Sequence, residues 1–231
     1  MSLLQGSTTP PTPDAAPPGD PLPPHLRGWL HLVCFFLSVP AGVLVVVSAG
    51  SGRGRLAALV YAFGMTAMFG VSAAYHRGRW SPTARRRMRR TDHGTIFLMI
   101  AGSYTPLCLL TLRGTTGTAV LAAVWAGAAV GFLLALTGVA EKAVLGLLAY
   151  IGLGWAVVVA LPELTHRLST DEMTLLVAGG VVYTLGGVVL GAKRPNPSAR
   201  WFGYHEVWHA MVVVACACHY LTILSVVGAA P

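Results

Sequence analysis

The amino-acid sequence predicts an all-α membrane protein, a bundle of seven transmembrane helices with its N-terminus in the cytoplasm and its C-terminus outside. Three observations predict this fold class. Of the 231 residues, 55% are hydrophobic and only 10% are charged, whereas soluble domains carry about 25% charged residues. The apolar residues form long runs, and most of the basic residues fall in the gaps on one side. Because so little charge cannot cover a surface that faces water, a soluble domain is excluded.

The chain divides into two parts at the start of the first apolar run. Residues 1–26 consist mainly of proline and small polar residues without an apolar period, which predicts a disordered cytoplasmic tail. This segment has neither the basic start nor the apolar stretch of a signal peptide. Residues 27–231 are predicted to form the transmembrane domain.

Seven apolar runs account for the transmembrane helices. A helix that crosses the hydrocarbon layer needs about 20 predominantly apolar residues. The runs cover roughly residues 28–49, 55–76, 93–112, 117–139, 143–161, 173–192 and 204–229. The fifth run is the shortest of the seven. Because the gaps are short, successive helices must alternate in direction.

The distribution of basic residues predicts the orientation in the cell membrane. Of the 16 lysines and arginines, only Arg53, Arg55, Arg113 and Arg167 fall on one side, and the other 12 fall on the side of the tail. Positively charged loops remain in the cytoplasm, which places the N-terminus there. The arginine cluster within residues 77–90 is interpreted as an orientation signal that contacts anionic lipid headgroups. Aromatic residues are not interleaved with these cations, so nucleic-acid binding is not predicted.

Ionisable residues next to spanning helices are costly, so each one is a functional candidate. His76 ends the second run, Asp92 begins the third, and His205 and His209 begin the seventh. The alternating topology places all four at one level, on the cytoplasmic side. Chance placement would have scattered them over both faces of the membrane.

The spacing of these residues points to a metal site. His205 and His209 are four residues apart and therefore share one helix face. Ser72 and His76 have the same spacing, which places the serine hydroxyl one turn deeper than the imidazole. Three imidazoles form a familiar shell for catalytic zinc, with a fourth position open to water. Iron, copper and nickel also bind imidazole, so zinc is the favoured metal without being the only candidate.

The segment HEVWH at 205–209 also matches the H-E-x-x-H motif of soluble zinc proteases. Here, however, the motif opens an almost continuous apolar helix, and Glu206 lies about 100° around that helix from His205. A role for Glu206 as the general base of a protease is therefore disfavoured. A role in orienting an imidazole remains open for it. His31, one turn inside the first helix, is another candidate partner. His219 lies about 21 Å along the helix from His205 and cannot share its ion.

Four segments resemble the bacterial hemolysin III family, which belongs with the progestin and adipoQ receptors, including the adiponectin receptors. They are SAAYH at 72–76, TDHGTIFLMIAGSYTP at 91–106, GGVVYTLGGVVL at 179–190 and FGYHEVWH at 202–209. The resemblance runs from about residue 27 to the C-terminus and implies a seven-helix bundle with zinc near its cytoplasmic end. It implies His76, His205 and His209 as ligands, with Asp92 reaching the metal through a bound water. The wider superfamily includes alkaline ceramidases, which cleave a lipid amide.

Three functions remain open from the sequence. The first is a zinc-dependent hydrolase of a lipid amide or ester, in which Asp92 accepts a proton from water and Ser72 helps to hold the oxyanion or the metal shell. The second is a sensor or receptor in which zinc only joins helices and Asp92 binds it directly. The third is a cytolytic pore-forming protein, which is disfavoured because the spans contain no row of polar residues to line a channel.

Overall fold

A computed structural model describes residues 24–138 and 143–230, and every regular element within them is helical. The elements are α1 (Trp29–Val47), α2 (Gly52–Arg77), α3 (Pro82–Pro106, continued by a π-helical turn at Leu107–Thr111), α4 (Gly114–Thr137), α5 (Ala143–Gly154), a 3₁₀ segment (Trp155–Ala160), α6 (Leu161–Arg167), α7 (Thr170–Ala192) and α8 (Tyr204–Ala229). No strand occurs in the described part of the chain.

Seven helical segments are long and apolar enough to cross a membrane. Six of them contain α1, α2, α3, α4, α7 and α8, and the remaining one, Gly146–Arg167, combines most of α5 with the 3₁₀ segment and α6. The predicted fold class is therefore confirmed, and the chain is a multi-pass integral membrane protein. Its orientation in the membrane stays a prediction.

The predicted disordered tail lies almost entirely outside the described residues. Its last residues are described, and they pack against the loop between α7 and α8. The backbone N–H of His25 donates to the carbonyl of Arg200 at 2.9 Å, and that of Leu26 donates to the carbonyl of Trp201 at 3.3 Å. The chain therefore enters α1 alongside the loop that leads into α8.

Helix α3 belongs to the most enclosed span: 67% of its apolar 18-residue stretch is buried inside the protein, against 17% for α7. It packs against α2 on one side and α4 on the other, while α8 packs against α7 and α1. Glycines bring α2 and α3 close together: a Cβ atom on Gly64 would lie 3.2 Å from the carbonyl oxygen of Leu98. Small residues allow this close approach of helices inside a membrane.

The third helix begins at Pro82, about ten residues before its predicted start. The Ser81 hydroxyl accepts a hydrogen bond from the backbone N–H of Ala84, and proline occupies the first turn. Both features favour a helix start, and arginine is a good helix former. The arginines at 85–90, predicted to lie in a gap, therefore lie on α3. The Arg85 guanidinium carbon is 5.8 Å from the ring centre of Tyr75, near the end of α2.

The fifth span is longer than predicted and is not a single α-helix. Where it changes to the 3₁₀ segment, the Tyr104 hydroxyl lies 2.6 Å from the carbonyl oxygen of Gly154 and accepts from the backbone N–H of Val157 at 2.7 Å. An irregularity in a helix that crosses a membrane needs partners for its backbone groups. Tyr104 of α3 supplies them, which allows the span to change helix type.

Candidate metal centre

Four helices bring polar side chains to one end of the bundle. His76 lies in the last turn of α2, and His205 and His209 lie in the first two turns of α8. Asp92 approaches from α3, and His31 lies in the first turn of α1. The four histidines lie at helix ends that the topology predicts to be cytoplasmic, whereas Asp92, predicted to begin its helix, lies about ten residues after the start of α3.

The three predicted ligands converge on one point. The ligand atoms of His76, His205 and His209 all lie within 4.8 Å of one another, and the Nε2 atoms of His76 and His205 are 3.2 Å apart. Two nitrogens bound tetrahedrally to zinc at about 2.0–2.1 Å lie about 3.3 Å apart. The 3.2 Å between these two nitrogens therefore fits a shared ion, and the ligand atoms of His209 lie close enough to join it after a small movement. The predicted convergence of α2 and α8 is confirmed, and the role of these residues as metal ligands stays a prediction.

Asp92 and Ser72 lie beside the three imidazoles. The Asp92 Oδ2 atom is 4.0 Å from His76 Nε2, and the aspartate side chain is 14% exposed. The Ser72 hydroxyl is buried, and its oxygen lies 2.8 Å from Nδ1 of His31, whose ring stacks on that of His209. The structure thus brings both predicted catalytic residues to the centre. Their catalytic roles stay predictions.

Glu206 is almost fully buried, at 1% exposure, and its carboxylate has two partners. One oxygen accepts from the Arg27 guanidinium, and the other accepts from the backbone N–H of Gly203 at 2.8 Å. A carboxylate at this position accepts a hydrogen bond from a backbone N–H that has no partner within the helix. Its negative charge also interacts favourably with the positive end of the α8 dipole. Glu206 therefore ties the start of α1 to the start of α8. Within the described residues its carboxylate bonds to Arg27 and Gly203 and to no imidazole, so the structure does not support the orienting role left open for it.

Exchange of Glu206 for glutamine tests this assignment. Glu206→Gln is expected to lower the free energy of unfolding by about 1.5–3 kcal/mol, the usual contribution of a hydrogen bond to a charged group. It should leave metal binding intact. Thermal unfolding in detergent and metal analysis measure the two effects. Glu172→Gln is the matched control, because Glu172 caps α7 through the backbone N–H of Ser169 but is only partly buried. A Glu206→Gln protein that is stable but has lost its metal would contradict the assignment.

His31 belongs to the centre more closely than the sequence indicated. Its ring stacks on the ring of His209, with centroids 3.8 Å apart and an angle of 2° between the planes. Its Nδ1 atom is 2.8 Å from the Ser72 hydroxyl oxygen. The only sequence signal was the position of a histidine one turn inside an apolar helix.

Gly28 permits the close contact between α1 and α2 at the centre. Its φ of +78° is in the left-handed region, which glycine adopts without strain. A Cβ atom here would also lie 2.6 Å from the Cβ of His76. Next to it, the Arg77 guanidinium lies 4.4 Å above the Trp29 ring. The sequence contained no signal for this contact, because it depends on which helix faces meet.

His219 lies apart from the centre, as predicted. Its Nε2 atom is 3.2 Å from the carbonyl oxygen of Leu176, and its ring is next to that of Tyr183. It is a partly buried histidine with a partner of its own on α7. This makes it a useful control for substitutions at the centre.

Comparison with known proteins agrees with this architecture. The family model described as "Haemolysin-III related" matches residues 22–220. Hemolysin-3 of Bacillus cereus is 31% identical, over 84% of this chain and 87% of that protein. The Hemolysin-3 homolog of Bacillus subtilis is 28% identical, over 84% of this chain and 89% of that protein. The human Monocyte to macrophage differentiation factor is 27% identical, over 73% of this chain and 69% of that protein. With a family match that spans most of its length, this chain belongs to the haemolysin III-related family.

Proposed function

We propose that the protein is a zinc-dependent membrane hydrolase that cleaves a lipid amide or ester at the cluster of His76, His205 and His209. The observation that carries the proposal is the convergence of three largely buried imidazoles, with ligand atoms within 4.8 Å of one another, beside the Asp92 carboxylate. Shells of three protein ligands with an open fourth position are typical of catalytic zinc, whereas structural sites are usually closed by four.

The donor set fits zinc. Imidazole nitrogen is a preferred zinc ligand, and three neutral imidazoles leave the ion its full positive charge. When bound by these residues, zinc would polarise the scissile carbonyl and lower the pKa of a water molecule to about 7. The remaining steps depend on groups of the protein itself.

Asp92 is the proposed general base. Its carboxylate takes a proton from the attacking water, and the water oxygen bonds to the carbonyl carbon of the lipid. The bond from that carbon to the leaving nitrogen or oxygen then breaks, and Asp92 returns the proton to the leaving group. Ser72, one turn from His76 on α2, helps to hold the developing oxyanion or the metal shell.

The position of the centre suits a lipid substrate. It lies at the ends of the spans, where the linkage between an acyl chain and a headgroup is found in a bilayer. The acyl chain would reach it sideways from the hydrocarbon layer. Arg85, close to Tyr75 and therefore to the end of α2, is placed to contact an anionic headgroup.

A structural zinc site in a sensor or receptor is the second candidate. It is favoured by the 4.0 Å between Asp92 Oδ2 and His76 Nε2, since a small movement would let the carboxylate close the shell. Metal that joins α2, α3 and α8 would then add its binding energy to the fold. A cytolytic function, which the name of the Bacillus cereus relative describes for that protein, is the third candidate, and no contact of the described residues favours it.

Metal removal tests the proposal. Purified protein incubated with a membrane lipid extract is expected to release fatty acid. Stripping the metal with a chelator should reduce the release to the level of a protein-free blank. Added Zn²⁺ should restore it and added Mg²⁺ should not, because Mg²⁺ prefers oxygen ligands. Release that continues after metal analysis shows no zinc would refute the hydrolase. Zinc-loaded protein that releases nothing from any lipid class would favour the structural site.

A further inference from the structure

Two of the arginines near the start of α3 lie on the same face of that helix as Asp92. Arg89 precedes Asp92 by three residues and Arg85 precedes it by seven, which places them about 60° and 20° around the helix from it. Arg86 and Arg87, in contrast, lie about 120° and 140° away. The arginines of α3 therefore occupy two faces, and only one of these is the face of the proposed general base.

The side chain of Arg85 lies next to the metal centre. Its guanidinium carbon is 5.8 Å from the centre of the Tyr75 ring, and that ring is 4.5 Å from the ring of the candidate ligand His76. The Arg85 side chain is exposed, and it forms no ion pair with a carboxylate of the described residues. Arg85 therefore places beside the centre a positive charge that the described part of the chain does not neutralise.

Other arginines of α3 have partners away from the centre. Arg86 donates to the hydroxyl of Thr83 in its own helix at 3.5 Å, and Arg90 donates to the carbonyl of Leu136 on α4 at 3.4 Å. A signal that orients the protein in the membrane requires only that the positive charges lie on the cytoplasmic side. It does not require any particular helix face. The position of Arg85 beside Tyr75 is therefore not explained by orientation alone.

The order of groups along α3 matches the order of groups in a phospholipid. Arg85 lies seven residues, or about 10 Å, from Asp92 along the helix, on the side away from the apolar part of the span. In a glycerophospholipid the acyl linkage lies between the hydrocarbon chain and the phosphate. A lipid with its acyl linkage at the three histidines would therefore extend its phosphate toward Arg85. Guanidinium groups suit this role, because their planar fork of donors matches a phosphate.

We propose that Arg85 and Arg89 select an anionic glycerophospholipid as the substrate of the centre. Arg85 binds the phosphate, and the partly buried Arg89 adds a second cation one turn closer to Asp92. A zwitterionic lipid is bound less well, because its own ammonium group is repelled by the same two cations. The cleavage of this lipid rests on the proposed function, whereas the binding of its headgroup does not.

Arg85→Gln tests the selection, and Arg86→Gln is the matched control because it removes the same charge from another face of α3. Zinc-loaded protein in vesicles of phosphatidylglycerol and phosphatidylcholine is expected to release more fatty acid from phosphatidylglycerol. Arg85→Gln should lower the ratio of the two releases about fivefold, the usual effect of one arginine near an anionic lipid surface. Arg85→Lys should recover part of the loss, and Arg86→Gln should keep the wild-type ratio. A wild-type ratio in Arg85→Gln, or equal losses in Arg85→Gln and Arg86→Gln, would overturn the proposal.

Binding can be measured separately from cleavage with short-chain diether lipids, which have no acyl linkage. Diether phosphatidylglycerol should raise the unfolding temperature in detergent more than diether phosphatidylcholine does, and Arg85→Gln but not Arg86→Gln should reduce this difference. Equal stabilisation by the two diethers, or the same stabilisation by inorganic phosphate, would overturn the headgroup site. Absence of release from every lipid would refute the hydrolase, and the diether comparison would still decide whether Arg85 binds an anionic headgroup.

Discussion

Replacement of His209 by alanine is expected to remove the bound metal. His209 is the most buried of the three candidate ligands, and its ring centroid lies 4.5 Å from that of His205 and 5.1 Å from that of His76. Without it only two imidazoles remain. Loss of a partner that merely orients a ligand costs about 10–100-fold in metal affinity, so loss of the ligand itself should cost more than about 100-fold. Metal analysis of the purified protein should find about one zinc per wild-type chain and background levels in His209→Ala.

His219→Ala is the matched control, because it removes another, partly buried histidine from the same helix, α8, without touching the cluster. It should keep its zinc. The metal should also raise the thermal stability of the wild-type protein, since it joins α2 to α8, and this increase should disappear in His209→Ala. Wild-type protein without zinc, or His209→Ala with the wild-type amount, would contradict the metal site.

The number of spans was predictable because the thickness of the hydrocarbon layer sets the length of each apolar run. The helix bounds were less predictable, because hydropathy shows which residues cross the membrane and not which residues are helical. At α3 the apolar run begins near residue 93, yet the helix begins at Pro82, where Ser81 provides a cap. The change of helix type in the fifth span depends on Tyr104, about 50 residues away in sequence. No local pattern identifies such a partner.

The histidine cluster was predictable for a different reason. Because the spans alternate in direction, the end of the second span and the start of the seventh lie at the same face, so His76, His205 and His209 were expected to meet in depth. Their lateral meeting depends on which helix faces pack together. The same limit explains why the partner of Glu206 was missed, since Arg27 lies 179 residues away in the chain. It also explains why His31 remained one candidate among several.

Replacement of Asp92 by asparagine is expected to abolish fatty-acid release while leaving zinc bound. The amide has nearly the same size as the carboxylate, but it cannot take a proton from water. Loss of a positioned general base typically costs about 10²–10⁴-fold in rate. Release from a lipid extract, normalised to the zinc content of each preparation, measures the effect. Asp171→Asn is the control, because Asp171 is exposed on α7 and belongs to no part of the centre.

The outcome for Asp92→Asn separates the candidate functions. A protein that keeps its zinc and loses release has a metal site that is intact and a base that is missing, which is the result the hydrolase requires. If zinc and release are lost together, Asp92 binds the ion directly, because a neutral amide is a far weaker ligand than a carboxylate. The site would then be closed by four protein groups, as structural zinc sites are. Release that continues at the wild-type rate would mean that another group takes the proton, and the mechanism proposed for Asp92 would be wrong.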